Sequence, residues 1–212
     1  MVSGRALRAD AARNYERILG AAVAAFEEIG PEATLEEIAE RAQVSVMTLY
    51  RRFRSRDQLI RAVFDHVLIT EIEPMTTAHT DDPWQDLVGA LTTVADVLAQ
   101  RQAIHSLALE FQTFANETAH RLLRSLEPLI SRAIDAKVVR PELQVRDLAA
   151  VIMMTAATVH PGDPHSAGHR RYLAILLDGL RPSSTALPRP LHGTPPAHPP
   201  TNSDPRSRGG GP

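Results

Sequence analysis

The chain has no cysteine among its 212 residues, which excludes disulfides, thiolate metal sites and thiol nucleophiles. Aromatic residues make up only 4% of it, and no stretch alternates apolar and polar residues between turn signals at strand spacing, so a sheet is not expected. No apolar run approaches the length of a membrane span. The N-terminal MVSGRALRADAARNYERIL lacks the uninterrupted apolar core of a signal peptide. The expectation is a cytoplasmic protein without a membrane partner or cofactor.

A large excess of one charge is also missing, because 23 Lys+Arg face 25 Asp+Glu. The distribution is uneven, however. Residues 1–66 carry 10 Arg and 10 acids, residues 67–180 carry 9 basic and 14 acidic residues, and residues 181–212 carry 4 Arg and 1 acid. Arg51, Arg52, Arg54 and Arg56 crowd one short stretch, while most acids of the first segment cluster at 27–40. A locally basic surface on a neutral domain suits phosphates, with the acidic remainder turned away.

What is present is helical periodicity. Ile18, Ala21, Ala22, Ala25, Phe26 and Ile29 mark one buried face of a helix over 14–29, ended by Gly30-Pro31. Thr34 with Glu37 has capping-box spacing and opens a second helix whose inner face is Leu35, Ile38, Ala39 and Ala42. Ser45 opens a third, with Val46, Leu49, Tyr50 and Phe53 at offsets 0, 3, 4 and 7; Ser55 and Gln58 open a fourth through about residue 70. Asp82-Pro83 starts a helix through about residue 100. Helical stretches follow at 102–114, 117–137 (bent at Pro128), 145–159 and 169–180. From Pro182 on, nine prolines in 31 residues predict a disordered tail.

The stretch TLEEIAERAQVSVMTLYRRF at 34–53 carries the function. Two short helices cross at the small Ala39, Leu49 and Phe53 fill the space between them, and the second turns Met47, Thr48 and Arg51 or Arg52 outward. That is a helix-turn-helix, whose second helix enters the major groove of DNA. The DNA-contact candidates are Ser45, Val46, Met47, Thr48, Tyr50, Arg51, Arg52 and Arg56. Thr34 joins them as a helix N-terminus open to a phosphate, and Arg5, Arg8 and Arg13 as a basic arm before the first helix. The Tyr50 ring is expected at the edge of the core, its hydroxyl on a phosphate.

IAERAQVSVMTLYRRF followed by SRDQLIRAVF resembles the DNA-binding domain of the tetracycline-repressor (TetR) family of regulators, and DAKVVRPEL…RDLAAVI…RRYLAILLDGLRP resembles the C-terminal halves of some members. The resemblance implies about nine helices, a homodimer, a small-molecule pocket in the C-terminal domain and a palindrome-like operator. Gln43 stands where the family's turn has Gly, Met47 where Gly or Ala is common, and Arg54 where Pro is frequent.

The fold expected is all-α: a helix-turn-helix domain at 1–57, a helical ligand-binding and dimerisation domain at 58–181, and the tail at 182–212. Trp84, Leu87, Leu91, His105, Leu109, Phe114, Leu122 and Leu126 are candidates to line an apolar pocket, with plain core as the alternative for each. The 145–159 segment is apolar on nearly every side, so a second subunit is one way to cover it. Leu148 and Ile152, with Tyr172, Leu173, Leu176, Leu177 and Leu180, are the expected dimer interface. His160, His165 and His169 with Asp163 sit in a Pro/Gly loop without a partner cluster, so no metal site is expected. No nucleophile–base pair or paired carboxylates support an enzyme. The function expected is a ligand-responsive regulator, a repressor released by a small apolar effector. An architectural DNA-binding dimer without a ligand and a helical metal-dependent enzyme are the competing readings.

Overall fold

A computed structural model describes residues 4–77, 79–159 and 168–188, with side chains from Asp10 onward other than those of 109 and 112–115. The described elements are helical throughout. Helix α1 (Gly4–Ile29) begins ten residues before the expected start at 14, so Arg5, Arg8 and Arg13 lie on a helix and form no extended arm. It ends where Gly30 takes φ +100° and donates to the Phe26 carbonyl.

Helices α2 (Leu35–Arg41) and α3 (Val46–Arg52) are each set by a hydroxyl cap. Thr34 Oγ1 accepts from the Glu37 N–H at 3.2 Å, and Ser45 Oγ from the Thr48 N–H at 3.1 Å. Between them Gln43 stands at φ +53° while Val44 N–H reaches the Ala39 carbonyl and Gln43 N–H that of Glu40. This Schellman turn is made without glycine, at a cost of about 1–2 kcal/mol for the left-handed residue. Lys137 repeats the device at φ +56°. Ile18, Ala22, Phe26, Ile38, Ala39, Leu49, Phe53, Leu59, Ile60 and Val63 form the core of this head.

Ser55 caps α4 (Arg56–Val67). The return bond from Gln58 goes to the Arg54 N–H, one residue before its expected place. Without a break, α4 passes into a π-helical turn (Leu68–Ile72) and then α5 (Glu73–Thr77). The three make one rod, so the described residues form nine helical rods. Helix α6 (Pro83–Gln100), capped by Asp82 with Pro83 at its first position, is the hub of the second domain. It packs against α5, the π-turn, α7 (Gln102–Glu110), α8 (Gln112–Asp135), α9 (Val145–Ala156) and α10 (Gly168–Gly179). Pro128 lies inside α8. No helix among the described residues is long and apolar enough to cross a membrane.

The chain beyond α10 does not leave the domain at residue 182. Arg140 donates to the carbonyls of Gly179 and Thr185 at 2.8 and 2.6 Å, and Glu142 accepts from Leu187 N–H at 2.9 Å. The tail beyond residue 188 lies outside the described residues.

Candidate nucleic-acid interface

Helix α3 is anchored by Leu49, which is fully buried, and by Phe53 just beyond its end. The opposite side presents Met47, 61% exposed, and Tyr50, 44% exposed, with Arg51 and Arg52 exposed beside them. Tyr50 thus projects from the surface and contributes little to the core that its offset had suggested. Val46 and Thr48 are half-buried, and the Ser45 and Thr48 hydroxyls bond to each other at 2.8 Å.

The arginines of the head separate by what they hold. Arg13 pairs with Asp10, and Arg41 with Glu28 at 2.6 Å. Arg17 donates to the Ala42 carbonyl at 2.8 Å, and Arg61 pairs with Glu117 at 2.5 Å. Arg56 turns inward, which corrects its assignment to DNA. Its guanidinium donates to the carbonyls of Ala33 and Pro31 and lies over the Phe26 ring, satisfying the α1–α2 loop. Arg51, Arg52 and Arg54 hold no carboxylate among the described residues. Among the arginines of the head whose side chains are described, those that hold neither a carboxylate nor a backbone carbonyl therefore sit on and beside the recognition helix.

Thr34 also departs from expectation. Its N–H and hydroxyl both donate to Glu37 Oε2 at 2.8 Å. Those bonds hold the Glu37 carboxyl below the usual range, so an anion already occupies the α2 N-terminus and repels a phosphate.

One contact joins residues 1–57 directly to the second domain, and three more tie the rod of α4, π-turn and α5 to α8 and to the α6–α7 junction. Glu27, at the end of α1, accepts from the N–H groups of Ala103 and Ile104 at 3.4 and 3.3 Å, closing the open first turn of α7. Burial raises the Glu27 pKa, and the two backbone bonds only partly offset it. Arg101 holds Glu71 of the π-turn at 2.9 Å, and Arg61 reaches Glu117 on α8. Arg121 of α8 reaches Asp65 at 2.6 Å and Glu73 at 3.3 Å, one on each side of the π-turn. In an α-helix residues eight apart lie about 80° apart around the axis. A π-turn absorbs one residue, so the pair sits as if seven apart, roughly 20° away from alignment. The irregular turn is what lets one guanidinium serve both carboxylates.

In the second domain Leu87, Leu91 and Leu126 are fully buried core, and Leu122 packs against that core. His105 is half-buried. Trp84 belongs elsewhere: Arg181 covers its ring at 4.0 Å, and it lies about 24 Å along α6 from the end that adjoins α7 and His105. Leu109 and Phe114 lie outside the residues whose side chains are described, as do His160, Asp163 and His165 altogether. His169 bonds to Asp96 at 2.8 Å, with Arg170 on the same carboxylate. Burial raises the Asp96 pKa, but the Arg170 and His169 bonds outweigh it and hold the carboxyl low. Among the described residues no three metal-ligating side chains come together.

The expected dimer face is corrected as well. Leu148, Ile152, Leu173, Leu177 and Leu180 are buried in the chain's own core, because α9 and α10 pack on α6 and on each other. Tyr172 is exposed and Leu176 half-buried. The apolar surface that α9 and α10 leave open is Met153, Met154, Tyr172 and Ile175. Tyr172 belongs to the expected set, whereas Met153 and Ile175 stand one position from Ile152 and Leu176, a shift that a continuous apolar run conceals.

The capped helix pair and its free arginines define a helix-turn-helix transcriptional regulator. The sequence profile of bacterial regulatory proteins of the tetR family matches residues 18–63, and that of the SbtR-like transcriptional regulator C-terminal domain matches residues 83–182. The chain belongs to the TetR family. Comparison with curated protein sequences returned no match. Among solved structures it is similar to the TetR transcriptional regulator SCO0520 from Streptomyces coelicolor, at 27% identity and TM-score 0.63, covering 80% of this chain and 99% of that one. FadR from Bacillus subtilis, solved in complex with stearoyl-CoA, shares the fold at 21% identity and TM-score 0.62, over 79% and 97% of the two chains. The fatty acid degradation regulator FadR from Bacillus halodurans does so at 20% and 0.59, over 79% and 100%.

Proposed function

We propose that this transcriptional regulator is a homodimeric repressor that binds a palindrome-like operator and is released by a small, largely apolar effector. The observation that carries the DNA reading is the set of uncommitted cations Arg51, Arg52 and Arg54 around an α3 that is otherwise firmly anchored. Met47 and Thr48, near the helix start, read base edges or thymine methyls, and the arginines meet the backbone. The open face of α9 and α10 supplies the dimer contact, which sets two α3 helices one helical turn of DNA apart or a small multiple of it. The head occupies 1–57 and the effector domain 58–181, with α4 bridging them, residues 182–188 held to the effector domain and the remainder as a tail.

An effector between α6, α7 and α8 acts on the head through Glu27, Arg101 and Arg121. It shifts the equilibrium only by its differential affinity for the two arrangements. Selection of duplexes from a random-sequence pool tests the DNA half, and two related half-sites are expected. Long-chain acyl-CoA and free fatty acids are suitable first probes of the effector half, since a FadR of this fold was solved with stearoyl-CoA. An effector raises the melting temperature and weakens duplex binding together. A broad apolar library that moves neither supports the architectural dimer instead.

A further inference from the structure

Arg52 is the last residue of α3 and is exposed, yet its guanidinium lies 4.4 Å from the centre of the Tyr15 ring on α1. The Tyr15 ring is itself fixed, stacked on Phe53 at 5.7 Å and 22°, and Phe53 is core. Stacking occupies the face of a guanidinium and leaves the N–H donors on its edge free for a bidentate acceptor. A long, mobile side chain is thereby held before any ligand arrives.

Arg52 borders a cleft of about 180 Å³ between α1 and α3, lined also by Ala11, Asn14, Tyr15, Ile18, Thr48 and Arg51. No carboxylate lines it. Asn14 accepts from Arg17 through Oδ1 at 2.9 Å, which leaves its amide N–H groups as the open end. Arg52 and Tyr15 also border a neighbouring cleft, but its other charged residues, Asp65 and Arg61, are spent on Arg121 and Glu117. Only the first cleft is cationic, uncommitted and on the Thr48–Arg51 face of the recognition helix.

We propose that this cleft seats a DNA backbone phosphate and that Tyr15 is a positioning residue, holding Arg52 for that contact. The inference rests on the reading of α3 as the recognition helix. The phosphate lies between Arg52 and Arg51, and α1 runs along the backbone beside the groove that α3 enters.

The test is a double-mutant cycle on a duplex that the wild-type protein selects from a random pool, with affinity measured by fluorescence anisotropy across a salt series. Arg52→Ala is expected to weaken binding about tenfold or more and to lower the salt slope by roughly 0.9 per subunit. Tyr15→Phe keeps the ring and binds as wild type. Tyr15→Met fills similar space without a π face and loses about two- to fivefold per subunit, but nothing further once Arg52 is Ala. Melting temperatures accompany each variant, and Tyr15→Leu replaces the Met variant if that one does not fold. Equal losses from Tyr15→Met with and without Arg52, or a Tyr15→Phe loss as large as the Met loss, overturn the positioning role. A wild-type protein that selects no duplex overturns the recognition-helix reading itself, and this proposal with it.

Discussion

Replacing Ile175 by Asp tests the open α9–α10 face. Met153, Met154, Tyr172 and Ile175 remain 57, 49, 50 and 59% exposed in the single chain. A large apolar side chain that is half exposed leaves roughly 100 Å² in water. At ~25 cal/mol per Å², covering it in a dimer is worth about 2.5 kcal/mol per residue and per chain. Twofold symmetry makes Ile175→Asp count twice, so about 5 kcal/mol is lost. That corresponds to roughly three to four decades in dimer dissociation constant, before the desolvation of two carboxylates is added. Analytical ultracentrifugation should show folded monomers at low micromolar concentration. Ile152→Asp behaves differently, because Ile152 is only 4% exposed and its substitution unfolds the chain itself. A well-folded Ile175→Asp dimer with unchanged dissociation constant refutes the assignment of this face.

Other consequences concern single interactions. Glu27→Ala leaves the Ala103 and Ile104 N–H groups without their acceptor and should destabilise the protein by about 1–2 kcal/mol in chemical denaturation. Glu27→Gln keeps an acceptor and removes a charge whose folded-state pKa is raised, so at neutral pH it should be neutral or stabilising. By the same sign, the wild-type Glu27 contribution is fully present below about pH 4.3 and is lost as pH rises through its folded-state pKa, and the Gln variant should lack that dependence. Removing residues 189–212 should leave the melting temperature unchanged, whereas a cut after Arg181 removes the Thr185 and Leu187 bonds to Arg140 and Glu142 and should lower it. A large drop from the shorter deletion counts against the tail reading.

Local chemistry was legible in the sequence where partners are three or four residues apart. Thr34 with Glu37, Ser45 before Val46, and Asp82 before Pro83 declare their helix starts, and the structure makes those caps. The left-handed Gln43 was legible through the resemblance, which implies Gly at that position of the turn. What escaped depends on distant partners. Arg56 reads as one more cation in a basic run until the carbonyls of Pro31 and Ala33 come within its reach. Trp84 reads as a pocket wall until Arg181 arrives from the far end of the domain. From Leu148 to Met154 on α9 and from Tyr172 to Leu177 on α10 every residue is apolar, so periodicity does not separate Ile152 from Met153, or Leu173 from Ile175. Packing on α6 makes that choice. Tyr15, Glu27 and Arg121 carry no motif at all, and their roles appear only when α1, α7 and α8 are in place.

The central claim is that the cations around α3, and not the paired arginines of the head such as Arg41, bind DNA. Its most direct measurement is the salt dependence of duplex binding for Arg51→Ala set against Arg41→Ala, the latter removing a guanidinium already paired with Glu28. The prediction is a slope reduced by roughly 0.9 per subunit for Arg51→Ala, because one fewer phosphate is neutralised, and a wild-type slope for Arg41→Ala. Equal slopes for the wild type and Arg51→Ala, or a larger change at Arg41, would contradict it.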